Sequence, residues 1–232
     1  MSLSNVFSYI YQVNLWQSSE SLSGRGSEVA LTAKVRESLS TLLQELNIKS
    51  MVDAPCGDFN WMSQVPLDGI DYLGLDIVPQ VIEHAQTKYG KPGITFKTAD
   101  LTRTNLPTVD LIHCRDGLVH LSFSDIFRAL EIFKRSKSTY LLTTIYPHVS
   151  VNKNVPSGSW RPLNFEKPPF NFGPPKLVFS DPSDDTGSNP DKSLALWSLD
   201  DIVLSPSSGF NLSSLKVKII SFIRRFIPSF LL

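Results

Sequence analysis

Two acidic turns carry the spacing that could do chemistry. Asp53-Ala54-Pro55-Cys56-Gly57-Asp58 follows the short apolar run Met51-Val52, and Asp76-Ile77 closes the run Tyr72-Leu73-Gly74-Leu75. Asp76 lies nineteen positions after Gly57. In an open α/β sheet, a glycine turn after the first strand lets a ligand approach the backbone. An acid ending the next strand then accepts hydrogen bonds from both hydroxyls of a ribose. The spacing is that of a nucleotide site.

The charge of the first turn narrows the nucleotide. A dinucleotide fingerprint has three glycines and a helix N-terminus free of anions, because the pyrophosphate it holds is negative. Here one glycine, Gly57, replaces three, and Asp53 and Asp58 bring carboxylates that repel phosphate and attract a cation. S-Adenosylmethionine has a ribose, an adenine, an ammonium and a sulfonium but no phosphate, and it meets those demands. An NAD-dependent oxidoreductase is disfavoured on the same ground.

With these residues in view, the chain resembles the class I S-adenosylmethionine-dependent methyltransferases. Within them it is similar to a group of small proteins with the pattern D-x-P-C-G-D-F-N-W-M, then Y-x-G-x-D-I, then R-D-x-L-V-H-L. Here these are Asp53 to Met62, Tyr72 to Ile77 and Arg115 to Leu121, and the likeness runs from about Asn14 to Leu199. It implies S-adenosylmethionine as cofactor, S-adenosylhomocysteine as product, and contacts from Asp53, Pro55, Gly57, Asp58, Trp61, Asp76, Ile77, Asp100, Leu101, Arg115 and Arg25. Asp100 is expected to accept from the adenine amino group, with Leu101 beside it as backbone donor or apolar wall. An ordinary cap or turn role for Asp100 also stands. Trp61 has two readings, a core aromatic or an adenine platform.

Methyl transfer is an in-line displacement, so the protein must bring an acceptor lone pair to the methyl carbon and, for a hydroxyl acceptor, remove a proton. Arg115-Asp116 ends the fourth predicted strand, where open α/β sheets place their chemistry. Asp116 is the first choice for base or acceptor-orienting group and His120 the second. Four residues apart, they would share a face if that turn were helical. Arg115 can instead hold an anionic part of the acceptor.

The elements that must position these groups alternate. Strands are predicted at Ser50–Ala54, Asp71–Ile77, Ile94–Thr98, Val109–Cys114 and Thr139–Thr144, with an antiparallel pair at Lys176–Phe179 and Ser193–Leu199. Helices are predicted to open at Ser27-Glu28, with Leu31, Val35, Leu39, Leu42, Leu43 and Leu46 as the core stripe, at Phe59-Trp61-Met62, at Pro79 and at Ser124-Asp125. The fold class is α/β and Rossmann-like: a seven-stranded, mainly parallel sheet with helices on both faces and an antiparallel final strand.

The methyltransferase domain is expected over 27–200. Residues 1–26 are expected to form an arm packed on the sheet edge or, as the resemblance implies, a lid over the cofactor, with Trp16, Arg25 and Ser27 touching ligand. Arg25 would then pair with the methionyl carboxylate. The segment 147–175 holds seven prolines, so neither helix nor central strand persists there. It is too aromatic for disorder and is expected to be a substrate loop in which Trp160, Arg161 and Asn164 bind a polar ring. The 201–232 tail repeats Leu215, Ile219, Phe222, Ile223, Phe226, Ile227 and Phe230 with Lys216, Lys218, Arg224 and Arg225. That basic amphipathic pattern suits a membrane surface, a partner, or a helix docked on its own domain.

Lysine plus arginine equal aspartate plus glutamate at 22 each in 232 residues, so no net field recruits nucleic acid. The two cysteines, Cys56 and Cys114, suggest no disulfide framework, and no leader pattern or apolar span is visible, which points to the cytoplasm. No zinc-ligand spacing occurs, so no zinc site is expected and no metal ligands are assigned; a magnesium ion held by scattered carboxylates, as in some sugar methyltransferases, stays open. The expected activity is O-methylation of a sugar, glycan or other small hydroxyl compound. The rivals are N-methylation of a small amine and a cofactor-binding scaffold without turnover.

Overall fold

The computed structural model describes residues 2–183 and 187–204. Seven strands, β1 (Ser50–Asp53), β2 (Asp71–Asp76), β3 (Ile94–Thr98), β4 (Leu111–Cys114), β5 (Tyr140–Ile145), β6 (Leu177–Ser180) and β7 (Ser193–Ser198), form one sheet. Their order is β3-β2-β1-β4-β5-β7-β6. The first five are parallel, β7 runs antiparallel to β5, and β6 antiparallel to β7. This is the expected architecture, with the last two strands as its antiparallel pair.

Period-two alternation sends successive side chains into two cores. Met51, Leu111, Leu142 and Leu196 join one cluster with Val35, Leu39 and Leu42 of α2 (Ala33–Glu45) and Ile82 and Ala85 of α3 (Pro79–Tyr89). Val52, Ile112, Leu141 and Trp197 join the other with Ile126, Leu130 and Phe133 of α4 (Phe123–Arg135) and the loop aromatics Phe165, Phe170 and Phe172. The chain winds outward from β1 to β3, then returns to lay β4 and β5 on the other side of β1. That reversal opens a crevice between the carboxyl ends of β1 and β4.

Three local expectations are corrected. The helix placed at Ser27-Glu28 begins only at Ala33, after the Thr32 cap, because Glu28 is extended and its carboxylate accepts the Ser18 hydroxyl at 2.8 Å. Leu31 therefore precedes the helix. Phe59, Trp61 and Met62 open no α-helix; a single 3₁₀ turn covers Met62–Gln64. Phe59 has φ +59° and Pro66 holds Val65 extended, so helical backbone is blocked on both sides. Arg115 and His120 flank no α-helical turn either: Asp116 has φ +54° and only Leu118–His120 winds, as 3₁₀. Asp116 and His120 therefore share no helix face.

Residues 3–12 form a helix, α1 (Leu3–Gln12), capped by Ser2, whose hydroxyl accepts the Asn5 N–H at 3.2 Å. Among the described residues, no helix is long and apolar enough to cross a membrane. The amphipathic pattern over 215–230 lies outside the described residues.

Candidate active site

The crevice holds a cavity of about 550 Å³, within the range of small-molecule and cofactor sites, roughly 300–1,000 Å³. Its walls come from the arm, from the carboxyl ends of β1 to β4, and from the β6–β7 connection.

At the β1 end, Gly57 adopts φ +55°, and a Cβ there would stand 2.2 Å from the Ser23 hydroxyl. The bare turn can therefore carry the arm directly above it. The Gly57 N–H donates to Asp76 Oδ2 at 3.2 Å and the Val78 N–H to Oδ1 at 2.9 Å. Burial nevertheless pushes the Asp76 carboxyl up to about 6. Each oxygen retains a lone pair, so a pair of ligand hydroxyls completes the set. Ile77, Asp100 and Leu101 continue this wall. Asp100 also closes its own turn, accepting the Thr102 N–H at 2.8 Å and its hydroxyl at 2.7 Å, which is the ordinary turn role.

Trp61 is the core aromatic of its first reading. It is buried in the α2-side core and lines the cavity, with the Arg115 guanidinium 5.0 Å over its ring. Pro55 and Arg25 also line the cavity.

Two acids of the first turn behave differently from the expectation that both face ligand. Asp58 is absent from the cavity wall; its carboxylate accepts the Ser21 hydroxyl at 2.9 Å, the Leu22 N–H at 3.1 Å and the Ser23 hydroxyl at 3.3 Å. It fastens the arm. Asp53 is buried on the wall, but Oδ2 accepts from the Tyr72 hydroxyl at 2.6 Å and Oδ1 from His113 Nδ1 at 2.7 Å. Both of its oxygens are thus held by protein donors.

Arg115 is also committed to protein. Nε donates to Asp181 Oδ2 at 2.8 Å, and Nη2 to the Gly26 carbonyl at 2.8 Å and the Ser183 hydroxyl at 2.7 Å. Lys192 Nζ donates to Asp116 Oδ2 at 2.6 Å and the Ser183 hydroxyl at 2.9 Å, and stands 3.3 Å from Asp181 Oδ2. Although burial works against them, the two cations hold the Asp116 carboxyl below the usual carboxylate range and the Asp181 carboxyl well below it. Asp116 is therefore a fixed anion and a poor base.

His120 is better suited to take a proton. Its Nδ1 lies 3.1 Å from the Ser159 carbonyl, which only accepts, so Nδ1 carries the hydrogen and Nε2 the lone pair. Burial, its largest influence, lowers the imidazole below its ordinary value, so it is neutral near pH 7. It lines the cavity against Trp16, centroids 5.4 Å apart.

Of the three residues assigned to acceptor binding, the structure brings only Trp160 to the cavity. Arg161 is buried and donates to the carbonyls of Leu118 at 3.1 Å, Val119 at 2.6 Å and Lys153 at 3.2 Å, and to that of Leu121. Asn164 donates to the Pro147 and Val149 carbonyls at 3.0 and 3.1 Å. Asn164 thus satisfies backbone acceptors within the proline-rich loop, and Arg161 ties that loop to the turn after β4.

Sequence reasoning missed His113, Asp181, Ser183 and Lys192. His113 carries a faint signal, a polar residue in the apolar run Leu111-Ile112-His113-Cys114, in register with Asp53. Asp181 and Lys192 stand at the two ends of the β6–β7 connection, and only their charge marks them. Among the described residues no cluster of metal-ligating side chains occurs.

Residues 51–137 match the family described as a methyltransferase domain. No curated protein sequence matches the chain. Among solved structures, the methyltransferase domain of bacterial CtHen1-C aligns with a TM-score of 0.55 at 14% identity, over 72% of this chain and 98% of that one. The CtHen1-CN form gives 0.52 at 11%, over 72% and 99%. Human N-acetylserotonin methyltransferase in complex with SAM gives 0.51 at 16% identity, over 71% of this chain and 52% of that one. At these identities the structures share the fold.

Proposed function

We propose that this S-adenosylmethionine-dependent methyltransferase methylates a hydroxyl of a small, ring-shaped molecule, a sugar or glycan residue, with His120 as the base. The observation that carries this reading is the His120–Ser159 hydrogen bond at 3.1 Å, which leaves a neutral imidazole with its Nε2 lone pair available in the cavity. A hydroxyl acceptor needs such a group.

When bound, S-adenosylmethionine supplies an electrophilic methyl group on a sulfonium. Asp76 and Gly57 orient the nucleoside end, while the Trp61–Arg115 stack and the arm exclude water from the cavity. Asp116, pinned by Lys192 at 2.6 Å and by the Thr144 hydroxyl at 3.2 Å, positions the acceptor by accepting a hydrogen bond rather than by taking its proton. Trp160 packs edge-on against Tyr146, centroids 6.0 Å apart, and is 45% exposed at the cavity. An exposed indole face suits the apolar face of a sugar. An amine acceptor finds less support, since the acid that would cage its charge is already neutralised by two cations.

The test is methyl transfer from labelled cofactor to a panel of pyranosides, phenols and amines, with His120→Gln beside the wild type. The variant is expected to bind S-adenosylhomocysteine unchanged by calorimetry while kcat falls roughly 10²- to 10⁴-fold. Undiminished turnover in the variant, or transfer confined to amines, would overturn the reading.

A further inference from the structure

His113 is fully buried on the cavity wall, yet its Nε2 has no hydrogen-bond partner among the described residues. Its other nitrogen is fixed: Nδ1 meets Asp53 Oδ1 at 2.7 Å, and Asp53 is braced from the far side by the Tyr72 hydroxyl at 2.6 Å. A carboxylate only accepts, so Nδ1 carries hydrogen, and in the neutral ring Nε2 presents its lone pair. An orphan buried acceptor in a ligand cavity implies a donor on the ligand.

The sheet order indicates which donor. Asp100, at the end of β3, and Asp76, at the end of β2, are the nucleoside side of the crevice; β1 follows, and β4 lies beyond it. A nucleoside seated with its ribose on Asp76 must extend its 5′ substituent across β1 toward β4. His113 stands there, in register with Asp53. In S-adenosylmethionine that substituent ends in an α-amino acid, whose ammonium donates.

We propose that His113 Nε2 is the acceptor for the ammonium of the bound cofactor, with Asp53 and Tyr72 as the positioning residues that hold the imidazole in the accepting tautomer. This rests on the S-adenosylmethionine reading of the cavity. The acid of the first turn then acts on the cation through a histidine rather than by direct contact.

Calorimetric titration with S-adenosylhomocysteine, its deaminated analogue and 5′-methylthioadenosine tests the assignment in wild type and His113→Leu. The variant is expected to lose roughly 10- to 100-fold in affinity for S-adenosylhomocysteine, as for a hydrogen bond to a charged group. Its affinity for the two ligands without an amino group should stay within about twofold. Because the substitution leaves the buried Asp53 Oδ1 without its partner and can unfold the chain, the wild type carries a second test. In the ¹⁵N spectrum of the four histidines, the His113 Nε2 resonance should move on adding S-adenosylhomocysteine and stay in place with methylthioadenosine. An unmoved resonance, or equal losses for all three ligands, overturns the proposal while the cofactor reading stands. Binding of none of them to the wild type overturns both.

Discussion

The Asp76 carboxylate and the Gly57 backbone N–H are 3.2 Å apart, tying the end of β2 to the turn that leaves β1. Burial raises Asp76 to about 6 in the unliganded protein, and ribose hydroxyls donate best to the ionised form. The bound carboxyl is then lower than the free one, so binding below about pH 6 must release a proton. Affinity for S-adenosylhomocysteine should rise about tenfold per pH unit up to about 6 and flatten above it. Calorimetry in buffers of different ionisation enthalpy reads the released proton, and Asp76→Asn should abolish the dependence. For folding the sign is opposite. The folded state binds the extra proton between the ordinary carboxylate value and about 6, so this group makes the unliganded protein less stable as pH rises through that window.

Asp58 holds the arm through Ser21, Leu22 and Ser23. Asp58→Ala should leave the sheet domain folded while freeing residues 13–24. Limited proteolysis should cut that stretch, and stopped-flow release of S-adenosylhomocysteine should quicken roughly tenfold, the scale of one hydrogen bond to a charged group. Unaltered proteolysis and release would assign the arm a passive place on the sheet edge.

Asp181 is fully buried between Arg115 and Lys192. Replacing it by alanine leaves two buried cations with Asp116 alone, and the expected loss is about 3–5 kcal/mol in urea unfolding. Because Asp181 is held ionised, its contribution is present at neutral pH and fades as pH falls through its depressed titration. The same variant should unfold at nearly wild-type denaturant concentration only in strong acid.

Trp160 and Arg161 are neighbours with opposite duties. Trp160→Ala should raise the KM for acceptor several-fold with little change in melting temperature, losing about 1 kcal/mol of stacking. Arg161→Ala strips donors from four carbonyls and should instead lower stability by about 2–4 kcal/mol, with the KM of the surviving folded enzyme unchanged. A raised KM in both variants would return Arg161 to the acceptor site.

Much of the fold was legible because its signals are local. The seven strands fall within a residue or two of their predicted positions, since an apolar run bounded by turn residues specifies a strand without knowledge of its neighbours. The predicted helix after Phe59 failed for a local reason too: a left-handed Phe59 and the Pro66 restriction outweigh the apolar pattern.

Residue types and spacing alone were enough to bring Gly57 and Asp76 together, because they stand at the ends of adjacent strands whose order follows from chain topology. The basicity of Asp116 against His120, the fastening role of Asp58, and the places of His113, Asp181 and Lys192 were decided only in three dimensions. Each depends on a partner from a distant segment: Lys192 for Asp116, Ser159 for His120, Ser21 for Asp58 and Asp53 for His113. A carboxylate or an imidazole has no fixed chemistry of its own; burial and the charge beside it set whether it binds, braces or takes a proton.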